Sequence, residues 1–192
     1  MIRTYFVVEG PHDVEVIGRL LRRRDLRRIR QLEKLEPYWH PLVPKSYPPD
    51  GDLQKRVPVP VFFAGGGRSI AVQSAGGINK IGTYTQVALI NLDTEPDAVG
   101  ILLDADERGP IETWKQLSDK LTTVSLGTGP GDVAQGPPRA GAFVLPDNEA
   151  NGTLENLLLE CASKTYPGLL REAQMWVDGI DTETRPSLSV SR

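Results

Sequence analysis

Three segments of this sequence place carboxylates or amides directly after apolar runs. Glu9 follows Tyr5-Phe6-Val7-Val8, Asp104 and Asp106 follow Ile101-Leu102-Leu103, and Asp147 with Asn148 follows Ala142-Phe143-Val144-Leu145-Pro146. Hard oxygen donors of this kind suit Mg²⁺, with Mn²⁺ as its substitute. Mg²⁺ takes one or two carboxylates and completes an octahedron with water and substrate phosphates. In a D-x-D leaving a strand, Asp104 and Asp106 can flank one point, and Glu9 from a neighbouring strand supplies a third donor or a general acid/base. Carboxylates held close repel one another without a cation, so a metal would also account for their grouping. A two-metal arrangement needs further ligands, for which Asp13, Glu107, Asp147 and Glu155 are the candidates. Each of these also has a plainer role. Asp13 and Glu155 suit the first turn of a helix, where a carboxylate favours the helix dipole. Glu107 can simply face solvent, and Asn148 can bond its own turn.

The opposite charge is concentrated too. Seven arginines stand between positions 19 and 30, opposed in that stretch by Asp25. The plain reading is a solvated helix face; the other is a contact for nucleic acid or an acidic partner, through Arg19, Arg22, Arg23 and Arg27. Lys80, after Gly76-Gly77, is a further candidate for a phosphate, although the segment is not a Walker pattern and a tight turn explains the two glycines equally well.

Residues of this kind need elements to position them. Thr4–Val8 is aromatic and β-branched without alternation, as in a strand buried on both faces. Gly10-Pro11 then opens a helix through Val14, Ile17, Leu20 and Leu21, from about 11 to 24 or beyond. Seven prolines between Glu36 and Pro60 exclude a regular helix or a central strand there, so the segment is expected to be an inserted loop. Val61–Phe63 and Ile70–Ser74 both have strand character; the latter is preferred as the second sheet strand because Gly76-Gly77 and a helical pattern to about Leu92 follow it. Asp97–Asp104 is the clearest strand, and a helix after Gly109-Pro110 presents Ile111, Trp114, Leu117 and Leu121. A strand over 142–145 and helices over 153–162 and 169–177 complete the pattern. Alternating strands and helices with doubly buried strands indicate an α/β fold, a mostly parallel sheet of about four strands flanked by helices. In such sheets functional groups gather beyond the carboxyl ends of the strands.

At 192 residues with 39% hydrophobic residues, the chain suits one domain over 1–180, with a Pro/Arg-rich insertion at about 25–60 and a flexible tail over 181–192. A net charge of −3 gives no global attraction to polyanions, so any such contact must be local. The lone Cys161, among leucines, suits a buried thiol in a reducing compartment. The first residues lack a signal-peptide pattern, and no stretch approaches the roughly 20 apolar residues of a membrane span, so the expected location is the cytoplasm, with no membrane association. Nucleophile-elbow and dinucleotide-binding glycine patterns do not occur. A homo-oligomer stays open.

VVEGPHDVEVIGRLL resembles the first motif of TOPRIM domains, a strand ending in Glu-Gly with Asp four residues after the Glu. ILLDADE is similar to their D-x-D motif, and VLPDNEANGTLENLLLE resembles a segment of small standalone TOPRIM proteins related to the OLD-family (overcoming lysogenization defect) nucleases. AGGINKI resembles the glycine-rich segment between the two acidic motifs. The resemblance covers about residues 1–24 and 70–162. It implies a TOPRIM-like fold, with Glu9 and Asp13 as ligands or acid/base, Asp104 and Asp106 as main metal ligands and Glu107 as an assisting carboxylate, followed by Asp147 and Glu155. It further implies Mg²⁺-dependent hydrolysis of DNA or RNA, phage defence, and a separately encoded ATPase partner. The alternatives are a non-catalytic TOPRIM-fold module that binds a partner and a small-molecule phosphoesterase.

Overall fold

The computed structural model describes residues 1–46 and 59–180. The central part of the expected Pro-rich insertion, 47–58, and the expected flexible tail, 181–192, lie outside the described residues. The chain divides into two compact units, Met1–Leu154 and Glu155–Arg192.

In the first unit the chain runs β1 (Ile2–Val8), α1 (Pro11–Arg22), β2 (Arg27–Ile29), β3 (Val61–Gly65), β4 (Arg68–Ser74), α2 (Ile78–Asn91), β5 (Ala98–Asp104), α3 (Pro110–Lys120), β6 (Val133–Ala134) and β7 (Arg139–Leu145). The strands form one sheet in the order β2-β3-β4-β1-β5-β7-β6. Its centre is the parallel set β4-β1-β5-β7, built on pairs such as Tyr5 with Ala71 and with Val99, and Ile101 with Ala142. These are the four strands anticipated from sequence, but the sheet has seven. β2, β3 and β6 add antiparallel ribbons at its two sides. The extension arises because Val61–Gly65 and Arg68–Ser74 are not alternatives. Both are strands, joined as a hairpin through Gly66 and Gly67 at φ 55° and 73°, a backbone region open to glycine.

Alternation along β1 supplies both layers. Tyr5 and Val7 face a core shared with Ala71, Ile101, Leu103, Ile81 and Ala88 of α2 and Leu117 of α3. Val8 faces the other core, with Val14 and Ile17 of α1, Leu26, Phe63, Ile70 and Val72. The Pro-rich stretch contributes to the first layer through the 3-10 segment Pro37–Leu42. Trp39 is fully buried there and donates from Nε1 to Ser69 Oγ at 2.7 Å, so it packs as a core residue.

α1 ends at Arg22, earlier than its apolar spacing suggests. The chain turns through Asp25 at φ 62° and pairs as β2 along β3, so Arg27 and Arg28 sit on an edge strand. Leu26 and Phe63 share one core, and this accounts for the early stop, because a longer helix would carry Leu26 away from the sheet.

α4 (Leu154–Thr165) begins at the boundary of the units, and α5 (Pro167–Asp178) belongs to the second. Cys161, expected to be buried, is exposed. Its leucine neighbours Leu158 and Leu159 are exposed as well, since a pair of 12-residue helices has too little interior to enclose every apolar side chain. Among the described residues, no helix is long and apolar enough to cross a membrane.

Candidate functional site

The carboxyl ends of β1 and β5 lie side by side because Val8 pairs with Leu102. Glu9 extends that ladder by one bond, its N–H donating to Leu102 O at 3.2 Å. Its carbonyl accepts from Gly76 N and Gly77 N at 2.9 and 3.1 Å, which locks the turn between β4 and α2 against the end of β1. Its carboxylate accepts from Asp104 N at 3.4 Å and also meets the N–H of Ile78, the first residue of α2.

Burial raises the Glu9 pKa above its ordinary carboxyl value. The Asp104 N–H opposes the shift, the negative charges of Asp106 and Asp13 reinforce it, and the Ile78 N–H again opposes it. The Glu9 carboxylate therefore lies within electrostatic reach of Asp13 in α1 and of Asp106 just beyond β5. Asp13, 5% exposed, occupies the first turn of α1, where its Oδ2 accepts from Gly10 N at 2.7 Å. The first-turn position expected of it is thus realised, with a bond to the N-cap Gly10 added, and its charge reaches Glu9.

Asp104 closes β5, and its Oδ1 accepts from Leu154 N, the first residue of α4, at 2.9 Å. Asp106 is exposed, with φ 51°, a conformation Asp tolerates better than most residues. Its backbone exchanges two hydrogen bonds with Gly152, at 2.9 and 3.1 Å. The D-x-D is therefore strapped down by residues 151–154, with Asn151 Nδ2 donating to Glu107 O at 3.0 Å. Gly109, the N-cap of α3, takes φ 90°, a backbone region that favours glycine, and a Cβ there would lie 3.0 Å from Asn151 Oδ1.

The remaining candidates are distributed differently. Glu107 is exposed beyond the strap. The Asp147 carboxylate accepts from Ala150 N at 2.7 Å and Glu149 N at 3.0 Å, which depresses its pKa and commits it to its own turn. Asn148, at φ 72°, takes up its own turn as well, its Oδ1 accepting from Val144 N at 2.8 Å. Glu155 lies in the first turn of α4 and belongs to the second unit. Lys80 is exposed in the first turn of α2, two residues after the Ile78 N–H that meets Glu9.

The arginines are not at this end. α1 starts beside the carboxylates and runs back along the sheet for 12 residues, about 18 Å, before reaching Arg22. The strand register agrees: Arg27 is level with Ala64, hence with Ser69 and Arg3, at the amino end of β1.

Among the described residues, no group of three or more His, Cys, Asp or Glu is arranged to hold a metal ion. Hard carboxylate oxygens with like charges pressing on Glu9 are the donor type that Mg²⁺ takes, one or two at a time with water completing its shell. A cage of three or more protein ligands does not fit. Sequence reasoning missed the backbone part of the site: the Gly76 and Gly77 N–H groups on Glu9 O, the Ile78 N–H, and the 151–154 strap. The glycine pair before a helix was the available signal for the first two.

A family model described as "Protein of unknown function (DUF3226)" matches residues 3–191. The chain belongs to that family. No curated protein matches this DUF3226 chain. A crystal structure of the hypothetical protein PH0156 from Pyrococcus horikoshii OT3 is similar, with a TM-score of 0.52 and 17% sequence identity, over 91% of this chain and 74% of that one. At that identity the likeness concerns the fold.

Proposed function

We propose that the chain is an Mg²⁺-dependent phosphodiesterase acting on nucleic acid, with a TOPRIM-like arrangement of Glu9, Asp104 and Asp106. One observation carries the reading: Glu9 is held partly buried at a strand end, with its pKa raised while Asp106 and Asp13 crowd it from other segments. The parallel β4-β1-β5-β7 centre supports the same reading, because it sets the two acidic strand ends side by side. When bound, Mg²⁺ would polarise a phosphate oxygen as a Lewis acid. Asp106 and Asp104 would hold it. Glu9, whose raised pKa brings it closer to neutral pH, would take the proton of an attacking water or return one to the leaving oxygen. Lys80, at the start of α2, would offset the charge of the phosphate. The resemblance extends the proposal to phage defence with a separately encoded ATPase.

Purified protein incubated with labelled DNA and RNA should cleave one of them in Mg²⁺ or Mn²⁺ and stop in chelator. Glu9→Gln and Asp106→Asn should each abolish cleavage without loss of folding. Absence of metal-dependent cleavage, alone or with the product of a neighbouring gene, would sink the reading. The lack of a cage of three ligands among the described residues favours a second one, a non-catalytic module whose partner is met elsewhere on the surface. Activity confined to small phosphoesters would point instead to a small-molecule phosphoesterase.

A further inference from the structure

Arg19, Arg22, Arg23, Arg24 and Arg27 are all exposed and lie around the corner where α1 gives way to β2; Arg30, exposed as well, follows the far end of β2. Among the described residues none of these six guanidinium groups has an ion-pair or hydrogen-bond partner; Arg28 alone of the run is paired, with Glu15 at 3.1 Å. The acid within the run is Asp25, and Glu33 follows it. A helix C-terminus gains from cations in its last turn only, which accounts for Arg19 and Arg22 and not for the rest. Unpaired like charges gathered in one corner repel one another, and on a chain of net charge −3 they form a local positive field that a polyanion relieves.

The type of polyanion follows from what the corner lacks. No Phe, Trp or Tyr occurs between Phe6 and Tyr38. Proteins that hold single strands combine cations with aromatic platforms for unstacked bases. Among the described residues the rings of the neighbouring strand, Phe62 and Phe63, are buried, so the exposed guanidinium groups offer phosphate contacts, and a duplex presents twice the phosphate density of one strand along its axis.

We infer that this corner is a sequence-independent anchor for the phosphate backbone of a duplex nucleic acid, set about one length of α1 away from the carboxylates. The anchor stands by itself. Its second consequence rests on the proposed hydrolase reading: about 18 Å of separation corresponds to about five base pairs at ~3.4 Å each, so the scissile phosphate would lie about that far from the anchored ones.

The full chain would be titrated in chelator against a fluorescent duplex and the matching single strand over a range of salt. The duplex should bind more tightly, with a log–log salt slope of about −4 to −5, as five or so neutralised phosphates give. Arg22→Gln/Arg23→Gln/Arg27→Gln should weaken duplex binding about tenfold or more and reduce the slope by about 3, one for each guanidinium removed. Lys115→Gln/Lys120→Gln, exposed bases on α3, should leave both unchanged. Circular dichroism would check that the variants fold. No duplex binding, tighter binding of the single strand, binding to polyglutamate alone, or an unchanged slope in the triple variant would overturn the anchor. Duplex binding without cleavage would overturn the hydrolase reading and leave the anchor intact. If cleavage occurs, phosphates whose ethylation blocks binding should lie about five base pairs from the cut, the helix length divided by the rise of the duplex.

Discussion

Asp104 has two roles that a pair of substitutions can separate. Its Oδ1 accepts from the N–H of Leu154, a residue 2% exposed at the start of α4, at 2.9 Å. Its charge is also proposed to hold a metal. Asp104→Ala removes both, whereas Asp104→Asn keeps a carbonyl oxygen for Leu154 N–H and removes the charge. Losing an acceptor at a helix start typically costs about 0.5–2 kcal/mol. In a chain of 192 residues each kcal/mol moves the midpoint by about 2–4 °C, so Asp104→Ala should melt about 3 °C below wild type. Asp104→Asn should melt within about 1 °C of it, on the same scale. Differential scanning fluorimetry at pH 7 in chelator reads the first effect, and cleavage in Mg²⁺ reads the second, which both variants should lose. If the two variants melt alike, the side-chain oxygen is not what holds the strap. If Asp104→Asn cleaves normally, the metal role is wrong.

The raised pKa of Glu9 gives a pH signature. The folded protein holds that proton more tightly than the unfolded chain, so the group's contribution to stability falls as pH rises from the ordinary value of 4.5 through the raised folded value. Glu9→Gln should therefore melt above wild type at pH 8 in chelator, with the gap closing toward pH 4; a gap that widens in acid would contradict the assignment. Gly65→Ala would put a Cβ 2.2 Å from the Asp25 backbone oxygen, where no side chain can swing away. It should destabilise by about 1–3 kcal/mol in urea unfolding, and a neutral result would show that the turn into β2 yields easily.

The strands of the sheet centre were legible because they combine unbroken apolar runs with breakers: Val99, Ile101 and Leu103 fill the buried face of β5, its other face is half-buried, and Asp104 ends it. β2 was not legible. Arg27-Arg28-Ile29 has no apolar run, and it becomes a strand only because β3 offers an unpaired edge beside it, a tertiary cause. The carboxylates could be read from their positions at strand ends. The Gly76, Gly77 and Ile78 N–H groups that fix Glu9 left only the glycine pair as a trace, because backbone donors have no residue identity and their direction depends on how the turn closes. The exposure of Cys161 escaped for a related reason: burial needs a partner surface, and apolar neighbours in sequence do not guarantee one.

α1 carries both kinds of charge, and only the structure divides structural from functional use. Asp13 in its first turn and Arg19 and Arg22 in its last suit the helix dipole, so helix stability alone would select an acid-first, base-last sequence. That argument reaches as far as the helix does. It leaves Arg23, Arg24, Arg27 and Arg30 unexplained, as well as Glu9 itself and Asp106, which crowds it from just beyond β5. The two excesses lie at opposite ends of the same helix. A ligand meeting both must be a polyanion at least as long as α1, and a small phosphoester can meet only one. Cleavage of short duplexes should therefore fall off steeply below about six base pairs, once the substrate no longer spans ~18 Å. Equal rates on a dinucleotide and a long duplex would show that the arginine corner serves some other partner.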